Sequence, residues 1–461
     1  MNNGTIGSRW RIWDLHVHTP ATYGGTYEEF IENARNSEAA VIGINDYCTL
    51  EGYKEIVSKG GISGKVIFPI VEFRMNNVVA NRKQSNPITS GALINFHIIF
   101  DNDPAIFPKI DNFLNSLECF GKDGNNIQLG VVPKTDLMKL TFTFENVIKK
   151  LKELHLYEKH AIVWLPYDEY GGIDDIDPED NFFKLSLIIR THIIGSSTKN
   201  QINFFKGKHD RFTLQQIQEM IGEVKPCIKG SDAHKINYPF GRLCDKDSNP
   251  TDKFCWVKAD MTFKGLKQII VEPDRVFIGA EPELLIRERT NPTKFVKKLS
   301  IKNISGPSAG DPMWFDDFTI DFNSSLVAII GNKGGGKSAI TDILSLCGNT
   351  HQSTQTFSFL TKEKFRNPKP ENLSDKYEAS LTWRDDTEST VNLSKNPDLN
   401  KVGRIKYIPQ NFLENLCTSI DPKDFEKGRL KRLRLAYVEH NLPNLWRDEG
   451  VPLFLIYVPL L

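Results

Sequence analysis

The stretch Trp13-Asp14-Leu15-His16-Val17-His18 places the tightest constraint on how this chain can fold. An apolar run leads into two histidines spaced i, i+2. In a strand, side chains alternate between faces, so His16 and His18 project from the same one. Two imidazoles on one face near a strand's end make half of a transition-metal site. A second pair of the same spacing, Asp232-Ala233-His234, follows the strand-like stretch Pro226 to Gly230. Together the pairs favour metal binding over a strand with two ordinary histidines.

Composition narrows the classes. At 461 residues the expectation is roughly two to four domains. With 58 basic and 58 acidic residues there is no global charge signal for nucleic acid, so any such contact needs a local patch. The seven scattered cysteines form no C-x-x-C pair and read as reduced thiols. The N-terminus lacks a signal-peptide core, and the apolar run Val451 to Leu461 is short of the ~20 residues a membrane helix needs. A cytoplasmic protein with no membrane partner is the expectation.

Along the first part, strands alternate with helices. Thr26 to Ala40 reads as a helix with Phe30, Ile31 and Ala34 on its apolar face. Ala40 to Ile44 is a buried strand with Asn45-Asp46-Tyr47 at its end, and Thr49 to Ser58 a second helix. Lys65 to Val71 is a strand tipped by Glu72, and Leu93 to Phe100 one that carries His97. Polar residues gathered at strand ends are where parallel barrels place their chemistry.

The order His16-x-His18, Asp46, Glu72, His97 and Asp232-x-His234 resembles that of PHP (polymerase and histidinol phosphatase) domains, over roughly the first 280 residues. The resemblance implies an α/β fold, a distorted (β/α)7 barrel that holds divalent metals and hydrolyses phosphoesters. It implies His16, His18, Glu72, His97, Asp232 and His234 as metal ligands, with Asp46 either a ligand or a supporting partner. Such histidine-rich ligation suits Mn²⁺, Zn²⁺ or Fe²⁺. Three departures stand out: Tyr47 where the family has a histidine, Trp164 to Tyr167 in place of another, and Tyr23-Gly24-Gly25 where a third early ligand is expected. One metal site is complete on this resemblance; a trinuclear one is not.

The remaining polar residues of this part read as structural. His155, His160, His192 and His209 have no partner at ligand spacing. Tyr167 to Gly172 with Asp174-Asp175 reads as a loop, and Ser196-Ser197-Thr198 as a helix N-cap. Lys206, Lys208, Lys225, Lys229 and Lys235 read as solvated surface, with phosphate contact the alternative.

A charged connection over 281–298 divides residues 1–280 from a second domain over 299–427. Leu299 to Ile304 and Phe318 to Phe322 are expected strands, and Leu326 to Ile330 a fully apolar one. It runs into Gly331-Asn332-Lys333-Gly334-Gly335-Gly336-Lys337-Ser338 and a helix, Ala339 to Leu346. G-x-x-x-x-G-K-S between strand and helix is the phosphate-binding P-loop, whose glycines let backbone N–H groups wrap an anion. ATP or GTP with Mg²⁺ is the expected ligand, held by Asn332 through Ser338. Lys337 reaches the β/γ-phosphates and Ser338 the metal. Tyr377 to Trp383 and Thr390 to Leu393 read as a small antiparallel sheet, and Gly403 to Phe412 as a strand ending in Pro409-Gln410.

This arrangement resembles the N-terminal lobe of ABC-type heads of the SMC/RecF kind, and by that resemblance Gln410 is the Q-loop glutamine. Barrel and head together resemble the TrlF family of AAA-like ATPases, from about residue 10 to about residue 427. Heads of this kind imply a head-to-head homodimer. No strand ending in Asp-Glu follows Gln410, and the basic run Glu426 to Arg434 gives way to an aperiodic apolar tail. Residues 428–461 therefore read as a frame-shifted or truncated end, with ATP turnover doubtful.

The leading expectation is a metal-dependent phosphoesterase, a nuclease on DNA or RNA, coupled to an ATP-binding head in DNA repair or phage defence. The alternatives are a phosphatase for small monoesters or nucleotides and a non-catalytic, ATP-dependent nucleic-acid-binding module.

Overall fold

The computed structural model describes residues 7–408 except 80–91, 122–123, 170, 177–180, 246, 307–313, 316, 333 and 353, and the strand positions 453–454. Lys333, Gln410 and all but two residues of the 428–461 tail lie outside the described residues. The chain divides into two compact units, one over Gly7–Pro282 and the other from Glu283 onward. The 281–298 connection carries a helix, Glu283–Thr290, and the start of a strand, both grouped with the second unit.

The first unit is mixed α/β, built on one ten-stranded sheet. Its strands are β1 (Arg9–Val17), β2 (Val41–Tyr47), β3 (Val66–Val79), β4 (Ala92–Phe100), β5 (Ala161–Pro166), β6 (Ile193–Gly195) and β7 (Cys227–Ile228). β8 (Arg242–Cys244), β9 (Pro250–Ala259) and β10 (Val276–Gly279) complete it. β1 to β7 lie side by side in chain order. The path nearly closes on itself where Val17 bridges Ala233 just past β7, with His18 N–H donating to the Ala233 carbonyl at 3.2 Å. The result is a barrel-like sheet.

Its regularity breaks at β4, which runs antiparallel to both β3 and β5 while the other neighbours within β1 to β7 are parallel. β1 serves two partners, Arg9 to Ile12 pairing with β9 and Trp13 onward with β2. Trp13, Leu15, Phe68, Ile70, Ile99, Ile162 and Trp164 belong to one buried cluster. Outside the barrel, helices such as Tyr27–Asn36, Glu51–Ser58 and Phe144–Glu153 bury one face each. The first carries a full capping box, Thr26 with Glu29.

In the second unit, β11 (Val296–Asn303), β12 (Phe318–Asp321), β13 (Tyr377–Trp383) and β14 (Glu388–Asn392) form an antiparallel sheet in the order β12-β11-β13-β14. The helix Lys337–Cys347 shares its core through Ile343, Leu344 and Leu346. The expected strand Leu326 to Ile330 is not formed, and Leu326 and Ile330 are 85% and 88% exposed. A buried strand needs hydrogen-bonding neighbours, and no described strand pairs with this run. Of Gly403 to Phe412 only Lys406–Tyr407 is strand among the described residues.

Candidate active site

The metal-like residues sit where the barrel's ends meet. A bulge in β1 sets Leu15 and His16 together opposite Gly43, because Asp14 pairs with Ile42 and Val17 with Ile44. The extra residue lets Leu15 stay in the apolar cluster while His16 turns to His97 and Trp164. Gly43 is required there, since a Cβ would stand 2.7 Å from the Leu15 carbonyl oxygen.

Across the seam, Asp232 takes a left-handed φ of 53°, a conformation that Asp tolerates better than most residues. Its N–H donates to the His16 carbonyl at 2.9 Å. The seam is drawn tight by Asp14, buried, which accepts from Ser231 N–H at 2.9 Å and Gly241 N–H at 2.7 Å. At Gly230 a Cβ would lie 2.3 Å from His16 Cβ, so only glycine lets the strands come this close.

Four donor atoms gather as a result. His16 Nε2 lies 3.5 Å from Glu72 Oε2, 3.2 Å from Asp232 Oδ1 and 3.3 Å from His18 Nε2. His18 Nε2 lies 3.5 Å from each of the same two carboxylate oxygens. His16, His18 and Glu72 form one group able to hold a metal ion, and His18, Asp232 and His234 another. His234 stacks on His18 at 4.1 Å between ring centres, and Tyr47 stacks on it too, at 5.0 Å.

Electrostatics tie the group together. Burial alone would push the His16 imidazolium out, but the Asp232 and Glu72 carboxylates outweigh it and hold its pKa at about 9. Glu72 is buried, which raises its pKa, yet the hydrogen bond from His16 and the charges of His97 and His18 bring it down to about 2. Asp232 falls below the usual carboxylate range against burial, chiefly through His16.

His97 stands at the margin. Its Nδ1 is 3.3 Å from Asn45 Oδ1 and 4.0 Å from Glu72 Oε2, and its ring stacks on Trp164 at 4.5 Å. Burial takes its pKa down to about 3. Trp164 fills the position opposite it on β5. Asp46 is not brought to the group: its carboxylate accepts from Thr19 N–H at 3.2 Å, Thr19 Oγ1 at 3.0 Å and Thr22 Oγ1 at 3.3 Å. Buried among these donors, it fixes the turn after β1.

Several supporting residues escaped the sequence reading. Asn45 Nδ2 and Asn95 Nδ2 donate to the two oxygens of Glu72, at 3.1 and 2.7 Å. Asp14 and Asn95 were detectable as polar residues within apolar runs, and Asn45 as one at a strand's end. Glu169, read as loop, has an Oε1 shut off from solvent with no partner among the described residues, and burial raises its pKa to about 7. Asp168 caps the helix Lys199–Phe205 by accepting from Thr198 N–H and Oγ1, at 3.2 and 2.6 Å. The Thr198 side chain makes no capping bond of its own.

In the second unit the glycine loop leads into its helix with Gly334 and Gly336 at φ of 84° and 82°. Lys337 Nζ donates to the carbonyls of Gly331 at 2.7 Å and Asn332 at 2.9 Å.

No family model and no curated protein matches the chain. Among solved structures, it is similar to the lesion-specific endonuclease PfuEndoQ from Pyrococcus furiosus at a TM-score of 0.38 and 13% identity, over 63% of this chain and 62% of that one. Endonuclease Q in complex with a 27-mer duplex substrate with an abasic lesion matches at 0.33 and 13%, over 57% of each. A metal-dependent phosphoesterase from Bifidobacterium adolescentis matches at 0.29 and 12%, over 52% of this chain and 95% of that one. The likeness thus spans less than two thirds of the endonuclease's own length. No described helix is long and apolar enough to cross a membrane.

Proposed function

We propose that the first unit is a PHP-type, metal-dependent phosphoesterase acting on nucleic acid, and that the glycine loop of the second unit binds ATP with Mg²⁺. The carrying observation is the meeting of His16 Nε2, His18 Nε2, Glu72 Oε2 and Asp232 Oδ1. Lone pairs this close repel unless a positive charge lies among them. The raised pKa of His16 is that demand met by a proton.

These residues fit a divalent transition ion, Mn²⁺, Zn²⁺ or Fe²⁺, in both donor type and burial. Such an ion acidifies a bound water and neutralises charge on a phosphoryl group. The chain's part is to hold the donors still. Asn45 and Asn95 fix both oxygens of Glu72, and the Asp14 seam fixes Asp232 against His16. Nucleic acid as substrate rests on the likeness of the second unit to SMC-type heads.

The test is hydrolysis of bis(p-nitrophenyl) phosphate and of labelled single- and double-stranded nucleic acid. Mn²⁺ is supplied with and without ATP, and His16→Ala is run beside the parent. Metal-dependent cleavage of the polymers, lost in the variant, is expected. Well-folded, metal-loaded protein that cleaves neither class of ester would overturn the reading.

A further inference from the structure

No surplus of basic residues marks the chain as a whole, so contact with a polymer of phosphates calls for a local patch. The loop Lys206 to Thr213 supplies one. It sets Lys206, Lys208 and Arg211 against a single acid, Asp210, and adds the rings of His209 and Phe212. The loop joins the helix Lys199–Phe205 to the helix Leu214–Ile221 and is braced along its length. Gly207 turns it at a φ of 72°, where a Cβ would stand 2.5 Å from Leu214 Cδ1. Lys206 Nζ donates to the Val276 carbonyl at 2.6 Å, and Lys208 Nζ to Asp274 Oδ2 at 2.5 Å. At its far end Thr213 forms a capping box with Gln216.

A small ring cluster stands on this frame. Phe204 and Phe212 meet edge to face at 5.8 Å between centres, and His209 lies 5.8 Å from Phe204 and 5.3 Å from Phe212. His209 Nδ1 accepts from Arg211 N–H at 3.1 Å, which fixes the imidazole beside the arginine. Phe212 nevertheless leaves 40% of its surface in water, and Arg211 next to it is exposed. A planar ring held still at the surface beside a guanidinium is what an unpaired base and its phosphate can use. A protein partner would call for a broader apolar area than Phe212 and Leu214 offer.

We propose that the 206–213 loop is a contact platform for single-stranded nucleic acid, with a base stacked on Phe212 and a phosphate of the same strand on Arg211. The assignment deepens the proposed action on nucleic acid and rests on that reading for its purpose, but binding here needs neither metal nor ester cleavage.

The full chain, with EDTA present so that no strand is cut, is titrated into fluorescein-labelled oligo(dT) and oligo(U) and followed by anisotropy at several salt concentrations. The parent, Phe212→Ala, Phe212→Leu, Phe212→Trp and Arg211→Gln are compared, with the thermal midpoint measured on each. Loss of the ring in the alanine variant should weaken binding by about tenfold at an unchanged midpoint. Phe212→Leu keeps an apolar contact with Phe204 but no stacking face and should lose as much, so it decides the matter should the alanine variant not fold. Phe212→Trp should bind at least as tightly as the parent. Arg211→Gln should flatten the slope of log affinity against log salt by about 0.7, the share of one phosphate on a single strand. Tighter binding of one oligonucleotide, with the same losses in the variants, supports the proposal and names DNA or RNA as the polymer. Equal affinity in the parent and the alanine and leucine variants overturns it, as does a parent that binds neither oligonucleotide. Binding that depends on Phe212 in a protein that hydrolyses no ester would sink the phosphoesterase reading and leave this one standing.

Discussion

His16 Nε2 and Asp232 Oδ1 stand 3.2 Å apart, although one belongs to the first strand and the other to the loop past the last strand of the barrel. The pair closes the barrel and the candidate metal group in one contact. Asp232→Asn keeps the shape and removes the charge. It should lower bound manganese, read by elemental analysis, and cut phosphodiester hydrolysis by about 100-fold, with the circular-dichroism spectrum unchanged. Full metal content in this variant would show that Asp232 is not a ligand.

Gly230→Ala should be far more costly than a typical glycine change. The added methyl group meets His16 Cβ at 2.3 Å and His16 N at 2.6 Å, both on a strand that cannot yield without opening the seam. A loss of about 1–3 kcal/mol is expected in urea unfolding, together with weakened metal uptake.

His192 supplies a pH signature. Burial, with the nearby Lys225 adding to it, takes its pKa from 6.5 to about 4, and its Nδ1 accepts from Val163 N–H at 2.9 Å. The folded value lies below the unfolded one, so between pH 6.5 and 4 the unfolded chain binds the extra proton. The contribution is therefore complete above pH 6.5 and is lost as pH falls toward 4, by about 3 kcal/mol over that window. His192→Asn, which keeps an acceptor for Val163, should show a flatter fall in thermal midpoint between pH 7 and 5. Parallel profiles would refute the assignment.

Asp342 anchors the helix that follows the glycine loop. Its Oδ1 accepts from Tyr407 Oη at 2.6 Å, and its Oδ2 from the N–H groups of Ser358, Phe359 and Leu360 at 2.9, 2.6 and 3.1 Å. Asp342→Ala strands these donors in the core and should destabilise the second unit by about 2–3 kcal/mol or more. Denaturant unfolding followed by hydrogen exchange of the 337–347 helix would read it, and unchanged protection would rule it out.

Lys337→Ala is expected to abolish binding of a fluorescent ATP analogue while leaving manganese uptake by the first unit intact. Analogue binding at parental affinity would refute the P-loop assignment.

Local pattern made most of this legible. Several elements of the first unit, such as Tyr27–Asn36 and Val41–Tyr47, follow from apolar periodicity, but Val66–Val79 runs past the expected end at Val71; the helix Lys337–Cys347 follows from the glycine loop before it. His16, His18, Asp232 and His234 stand out by their i, i+2 spacing, whereas Glu72 and His97 are nominated only through the resemblance to PHP domains, and Glu72 lies within the strand Val66–Val79, not at its tip. Asp46, which the same resemblance left as either a ligand or a supporting partner, serves Thr19 and Thr22, since a sequence gives a carboxylate's position but not its donors. The apolar run Leu326 to Ile330 has strand character, yet a strand exists only where another chain segment offers it hydrogen bonds.

The sequence by itself determined which side chains are of metal-ligand type and the periodicities that place several of them on strands. Tertiary structure alone decided that Glu72 is gripped by Asn45 and Asn95, and that Gly230 lets Asp232 reach His16. Each of these depends on residues far apart in the chain meeting within hydrogen-bond or van der Waals range. Such distances are set by how strands register and where the barrel closes, and no local pattern encodes them.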